Sequence, residues 1–291
     1  MRTARGARSR RWARWLGRNW ARLTHGRHFE PTWLQLTHHD IAIPALPAAF
    51  EGFRIVHLTD FHAGPHVPFA LLREAVELAN RQEPDLVALT GDFIHHGYRY
   101  IEQVAALVGT LAARRGVFAV LGNHDFSVRN ALGLRRHRRL HEAMELALRE
   151  VGVHVFRNRG LRLTEGGAHL HLAGVDDLWS GHCDVAAAFA EAAPLDPCVL
   201  LAHNPRTVER LDGRRCDLML SGHTHGGQVN WPGLGRILLT RRGRRFAAGL
   251  YRFRQTFLYV NRGVGFGSFR FRFGARPEVA LLRLRRAGPA A

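Results

Sequence analysis

The sequence predicts an α/β fold built as one domain behind a short basic leader, and three observations predict it. Apolar, β-branched runs alternate with segments of helical period, the pattern of strand–helix units. Five of the runs are followed at once by Asp, Asn or His, as in folds that gather ligands at the carboxyl ends of strands. No internal repeat and no low-complexity linker breaks residues 30–285. The 291 residues therefore divide into a basic amphipathic segment over 1–29 and one domain over 30–291.

The elements follow in order. Residues 53–58 are rich in β-formers and end just before Asp60. Helical periodicity covers 71–80. Residues 85–89 read as a buried strand ending at Gly91-Asp92, 101–113 as a helix, and 117–121 as a strand ending at Gly122-Asn123. A helix over 138–150 and a strand over 151–156 follow. Cys198-Val199-Leu200-Leu201 before His203 and Leu218-Met219-Leu220 before His223 repeat the arrangement of strand, then polar side chain. Past Gly226 the chain is rich in Gly and Arg, with apolar stretches such as 256–260 that read as further strands.

Ahead of the domain, residues 8–23 have the period of an amphipathic helix. Trp12, Trp15, Leu16, Trp20 and Leu23 share one face, and Arg10, Arg11, Arg14, Arg18 and Arg22 the other. Tryptophan opposite arginine is the composition of a helix lying in a membrane interface. No run of eighteen apolar residues exists to span a bilayer. The N-terminus also lacks the apolar region of a signal peptide, so export is not expected.

Charge is distributed unevenly. All 42 basic residues are arginine and the net charge is +18. Residues 1–27 hold nine arginines and no acid, and residues 236–291 hold fourteen arginines and one acid, Glu278, which leaves 28–235 at −4. Basic ends point to an anionic partner, a membrane surface or nucleic acid, around a slightly acidic middle. Cys183, Cys198 and Cys216 show no CxxC spacing and form no even framework, so they are expected to be reduced and structural.

The chemistry lies in the strand-end motifs: Asp60-Phe61-His62, Gly91-Asp92, Gly122-Asn123-His124-Asp125, the lone His203, and Gly222-His223-Thr224-His225. Asp60 and His62 stand two apart, so on an extended segment both side chains point one way and reach one ion; His223 and His225 share that spacing. Asp92 offers two oxygens, enough to bridge two ions, and Asn123 a neutral carbonyl oxygen. Carboxylate, imidazole and amide together suit a pair of borderline divalent ions such as Mn, Fe or Zn better than one structural zinc, which favours thiolates. Two such ions held close together are common machinery for phosphate ester hydrolysis. One Asp–His pair arises by chance in a surface loop; five sites at five strand ends do not.

The order Asp-x-His, Gly-Asp, Gly-Asn-His-Asp, His, Gly-His-x-His resembles the calcineurin-like metallophosphoesterase superfamily over about residues 50–285. The string from Gly222 to Gln228, residues 55–64 and Asn261-Arg262-Gly263-Val264-Gly265 resemble its bacterial phosphodiesterase branch of YaeI/YkuE type. Glu30-Pro31-Thr32, Leu46-Pro47 and Phe50-Glu51-Gly52 resemble that branch too. The resemblance implies two packed mixed sheets flanked by helices. It implies that Asp60, His62, Asp92 and His225 hold one ion and that Asp92, Asn123, His203 and His223 hold the other, with Asp92 bridging. A hydroxide between the ions would attack phosphorus, and His124 would protonate the departing oxygen, with Asp125 orienting its loop or His124 itself. Related phosphoprotein phosphatases place, three residues after the bridging Asp, an Asp that pairs with the acid His. Here that position is His95, followed by His96, so His95 becomes a candidate substrate contact and a protein-phosphatase reading loses support.

Because the branch includes a UDP-2,3-diacylglucosamine pyrophosphohydrolase of lipid A synthesis, the substrate class implied is a lipid-linked pyrophosphate or phosphodiester. The enzyme would then be peripheral on the cytoplasmic face of the inner membrane, with Arg262 as a diphosphate contact. Two rival readings remain: a generic phosphodiesterase or nuclease whose basic ends grip nucleic acid, and a non-enzymatic basic binding module.

Overall fold

A computed structural model describes residues 17, 19–128, 132, 134, 136–241, 243–267 and 269–287. Two six-stranded mixed sheets pack face to face. The first has the order β1 (Gln35–Ile43), β14 (Glu278–Arg286), β2 (Arg54–Leu58), β3 (Leu86–Leu89), β4 (Val117–Ala119), β5 (His154–Val155). The second runs β12 (Gly249–Phe253), β13 (Thr256–Val260), β9 (Leu218–Ser221), β8 (Cys198–Leu201), β7 (Ala168–Gly174), β6 (Arg159–Glu165). A short ribbon of β10 (Asn230–Trp231) and β11 (Gly235–Arg236) stands apart from both.

Strand alternation builds the layers. Ile55, Leu86, Ala88 and Phe118 face Leu172, Val199, Leu201, Leu218 and Leu220 in one apolar layer between the sheets. The alternate residues Val56, Leu58, Val87 and Leu89 pack outward against helices α1 (Phe69–Asn80), α2 (Ile101–Val108) and α3 (Leu140–Glu150). On the far side Ala173, Leu200, Met219 and Leu258 pack on Val185, Ala188 and Val208, from the short helix α4 (Val185–Ala188) and the 3₁₀ turn Pro205–Arg210. Strands β2, β3 and β4 are parallel, as are β7, β8, β9 and β13. The carboxyl ends of both sheets meet along one edge, where every strand-end motif lies.

The strands and helices expected within residues 53–260 are present, with shifted ends. The helix expected to run to 113 stops at Val108, and the strand expected over 151–156 shrinks to His154–Val155. There the Val153 amide still caps α3 at Leu148, and Gly152 turns through φ 84°. Strands β1, β6 and β7 were not expected. β1 is an edge strand paired in parallel with β14 from Gln35↔Glu278 to Ile43↔Arg286. Its sequence, Gln-Leu-Thr-His-His-Asp-Ile-Ala-Ile, mixes polar and apolar residues because one edge and much of one face meet solvent. Cys198 and Cys216 are buried, all three cysteines are free of disulfides, and burial raises the Cys183 pKa to about 12.

Residues 1–16 and 18 of the expected amphipathic segment lie outside the described residues. Residues 19–24 are helical and pass into a π-turn, His25–Phe29. Gly26 is buried there against the Phe271 ring, where any Cβ would collide, and its carbonyl accepts from the Arg272 amide at 2.9 Å.

Candidate metal centre

Three of the five strand-end motifs turn inward through a left-handed backbone. Asp60, His62, Asp92, His223 and His225 have φ of 53°, 46°, 54°, 71° and 51°. A non-glycine residue costs on the order of 1–2 kcal/mol there, and such strain concentrates at functional sites. Five of the twelve among the described residues stand here. Hydrogen bonds between the loops offset that cost: the Asp60 amide donates to Gly91 O, the His62 amide to Asp92 O, and the Gly222 amide to His203 O, at 2.9, 2.9 and 3.0 Å. Gly122 and Gly222 permit the approach, because a Cβ on either would strike the carboxylate of Asp92 or Asp60.

The result is a buried cage. His62 Nε2 lies 3.0 Å from His225 Nε2, and the two lie 3.8 and 3.4 Å from Asp60 Oδ1. In the second cluster Asn123 Oδ1 lies 3.2 Å from His203 Nε2 and 2.9 Å from His223 Nδ1. The Asn123 amide nitrogen donates to Val128 O, which turns the carbonyl oxygen inward. Asp92 Oδ2 stands between the clusters, 3.5 Å from His62 and 3.2 Å from His203. The structure thus brings together all seven side chains singled out as metal candidates.

Electrostatics follow from burial. Burial alone would raise the pKa of both aspartates. The neighbouring imidazoles of His225 and His62 outweigh it at Asp60, and His203 outweighs it at Asp92, so both remain carboxylates. Burial would lower His203, yet the Asp92 carboxylate lifts it to about 10; its Nδ1–H donates to Thr90 O at 2.7 Å. Burial, reinforced by the charge on His203, pushes His223 down to about 3. Burial also holds His225 well below the usual imidazole range.

His124 sits beside the cage. Its ring is 4.7 Å from that of His62, its amide donates to Asp92 Oδ1, and its Nδ1–H donates to His95 O at 2.8 Å. Burial lowers its pKa to about 4, so the ring is neutral at neutral pH in the metal-free chain. Where the protein phosphatases use an Asp side chain, this chain uses the His95 carbonyl. Asp125 does not reach the His124 ring. Its oxygens accept from the amides of Phe93, Ile94 and Gly122, tying two strand ends together. Arg262 is engaged away from the cage, by Glu278 at 3.0 Å and Gln35 at 3.1 Å.

Three neighbours were not foreseen. Arg272 is fully buried behind His225, 3.4 Å from its Nδ1, and donates to the carbonyls of Arg262, Gly263, Gly265 and Ala275. Trp179 meets the His223 ring edge-on at 4.5 Å. Asp177, pushed up to about 6 by burial, holds the Trp179 turn by accepting its amide. Val175-Asp176-Asp177 at the end of β7 obeys the same strand-end rule and gave a signal; Trp179 and Arg272 gave none.

The donors fit divalent ions. Each of the triads Asp60/His62/His225 and Asp92/His203/His223 has its ligand atoms within 4.8 Å of one another. Imidazole nitrogens facing each other at 3.0 Å, with His62 Nδ1 buried and unpartnered, form a poor hydrogen-bond network but a good set of ligands. Residues 53–227, more than half the chain, match the calcineurin-like phosphoesterase family. The chain belongs to that family. It is 31% identical over 265 residues to the metallophosphoesterase YkuE of Bacillus subtilis, spanning 90% of this chain and 89% of that one. It is 33% identical over 256 residues to phosphodiesterase YaeI of Escherichia coli, spanning 88% and 90%. It is 27% identical over 299 residues to the UDP-2,3-diacylglucosamine pyrophosphatase LpxG of Chlamydia trachomatis, spanning 88% and 91%. Among solved structures, phosphopantetheinyl hydrolase of Mycobacterium tuberculosis aligns over 75% of this chain and 90% of that one, with a TM-score of 0.49 and 13% identity. The protein is a metal-dependent phosphoester hydrolase of a family that uses two divalent ions.

Proposed function

We propose that this hydrolase acts at a membrane surface on a lipid-linked pyrophosphate or phosphodiester such as UDP-2,3-diacylglucosamine. The observation that carries the hydrolytic part is the position of Asp92 Oδ2, within 3.5 Å of both His62 and His203. In this reading Asp60, His62, Asp92 and His225 hold one ion, Asp92, Asn123, His203 and His223 hold the other, and Asp92 bridges. Mn, Fe or Zn suits these donors, and a bound pair supplies Lewis-acid activation of water and of a phosphoryl oxygen. The remaining work belongs to the chain. The Thr90 carbonyl fixes the His203 ring with Nε2 toward the cage. The His95 carbonyl holds His124 Nδ1–H, so Nε2 is the nitrogen that takes a proton beside an anionic substrate and passes it to the departing oxygen.

Two observations support the lipid part. LpxG, whose name gives its substrate, is similar over most of both chains. Trp20, Leu23, Phe29 and Trp33 are exposed beside Arg22 and Arg27, the aromatic and basic mixture of an interfacial segment. They continue through His25, Phe273 and Trp231 ring contacts to the β10–β11 ribbon, where Leu234, Ile237 and Leu238 are exposed. Among the described residues no helix is long and apolar enough to cross a membrane.

The test is incubation of Mn²⁺-loaded protein with UDP-2,3-diacylglucosamine. UMP release that disappears in Asp92→Asn is the expected result. Cleavage of a chromogenic diester without UMP release would remove the lipid nucleotide as substrate.

A further inference from the structure

Beside the cage lies a cavity of about 230 Å³ lined by His95, His96, His124, Ser127, Arg136 and His137, with Gly97. It shares His124 with the cage: that ring is 4.7 Å from His62 on one side and 5.3 Å from His95 on the other. Any ligand held by both cage and cavity therefore spans His124. Two loops build the walls. His95 and His96 stack at 3.8 Å, and His95 packs on Gly64, where a Cβ would come within 3.1 Å. His137 meets Tyr98 edge-on at 5.5 Å, and its amide donates to Ser127 Oγ at 3.2 Å.

Charge distinguishes this cavity from the others. Among the described residues no carboxylate lines it. A cavity of about 820 Å³ at the opposite strand ends contains Asp217, which pairs with Arg215. Two others contain Asp184 with Asp212, and Glu278 paired with Arg262. Among the described residues and these four cavities, the one at His124 combines a guanidinium with several imidazoles and no compensating acid, which is the chemistry of an oxyanion site.

We propose that this cavity is the subsite for the second phosphate of a diphosphate, so that the cage and its neighbour together select a pyrophosphate link. The inference rests on the hydrolytic reading of the cage given above. When a diphosphate is cleaved, the oxygen of water bonds to one phosphorus and the bridging P–O bond breaks. The electron pair stays on the departing phosphate, and the protons of water pass to the products and solvent. That leaving group is already an anion, so fixed donors stabilise its charge alongside the proton that His124 delivers. Arg136 supplies a permanent charge, and His96 and His137 supply ring N–H groups.

The experiment is calorimetric titration of the full chain, with Mn²⁺ in excess, by two probes: inorganic phosphate and non-hydrolysable methylenediphosphonate. The wild type should bind the diphosphonate at least about tenfold more tightly than phosphate. Arg136→Ala/His137→Ala should weaken the diphosphonate at least about tenfold and phosphate by less than about twofold, which also shows that the variant remains folded. Arg136→Lys/His137→Gln, which keeps a charge and an N–H donor, should recover part of the loss. Equal weakening of both probes, or of neither, overturns the subsite. Selective diphosphonate binding by a protein that hydrolyses no phosphoester with any divalent ion would leave the subsite standing and overturn the hydrolytic reading instead.

Discussion

The cage and the cavity beside it share one histidine and are built in opposite ways. Asp60, His62, Asp92, Asn123 and His203 are each no more than 2% exposed, and their loops are laced together by backbone hydrogen bonds. His96 and Arg136 are exposed and His137 is half-buried, on surface loops. The first arrangement fixes geometry, as two ions demand; the second offers charge on adaptable loops, where substrates are usually distinguished. The chemistry of this enzyme is therefore expected to be insensitive to loop changes that alter its choice of substrate.

Four experiments would break or sharpen that contrast, from the largest effect to the smallest. Asp92→Asn should lower kcat/KM by roughly a thousandfold or more, about 4 kcal/mol of transition-state stabilisation, and reduce metal content below two ions per chain. Retained two-ion stoichiometry by elemental analysis would sink the bridging role. His124→Ala should keep both ions and lose about a hundredfold or more in turnover, with poorer leaving groups losing most. Equal losses across a leaving-group series would remove it as the acid.

The third concerns pH. The His203 pKa of about 10 means that the metal-free chain keeps that proton at neutral pH and releases it when an ion binds. Metal affinity should then rise with pH, by about tenfold per unit for one proton, between roughly pH 6 and 9. Calorimetry in two buffers of different ionisation enthalpy reads the proton directly, and identical heats would contradict the assignment. The smallest effect is expected from removing residues 1–16. Hydrolysis of a soluble diester should change less than about twofold, while retention on anionic vesicles falls. Unchanged retention would detach the membrane reading from that segment.

The cage was legible because its signals are local. Asp60, Asp92, Asn123 and His223 each follow an apolar run, and the glycines before Asp92, Asn123 and His223 mark the tight turns. Arg272 could not be read in this way. It stands in Phe-Arg-Phe within an arginine-rich tail, and nothing in that stretch says that the carbonyls of Arg262, Gly263, Gly265 and Ala275 will enclose it. Arg262 was read as a substrate contact for the same reason, since the partner that engages it, Glu278, lies sixteen residues away on β14.

By itself, then, the sequence determined the α/β alternation, the strand-end positions of the seven donors and the kind of ion they suit, because periodicity and turn chemistry act over a few residues. The tertiary structure alone decided that β14 would enter the first sheet between β1 and β2, and that His95, His96 and His137 would wall a cavity at His124 lined, among the described residues, by no carboxylate. Those outcomes depend on sheet pairing and loop packing between residues distant in the chain, which no short stretch of sequence encodes.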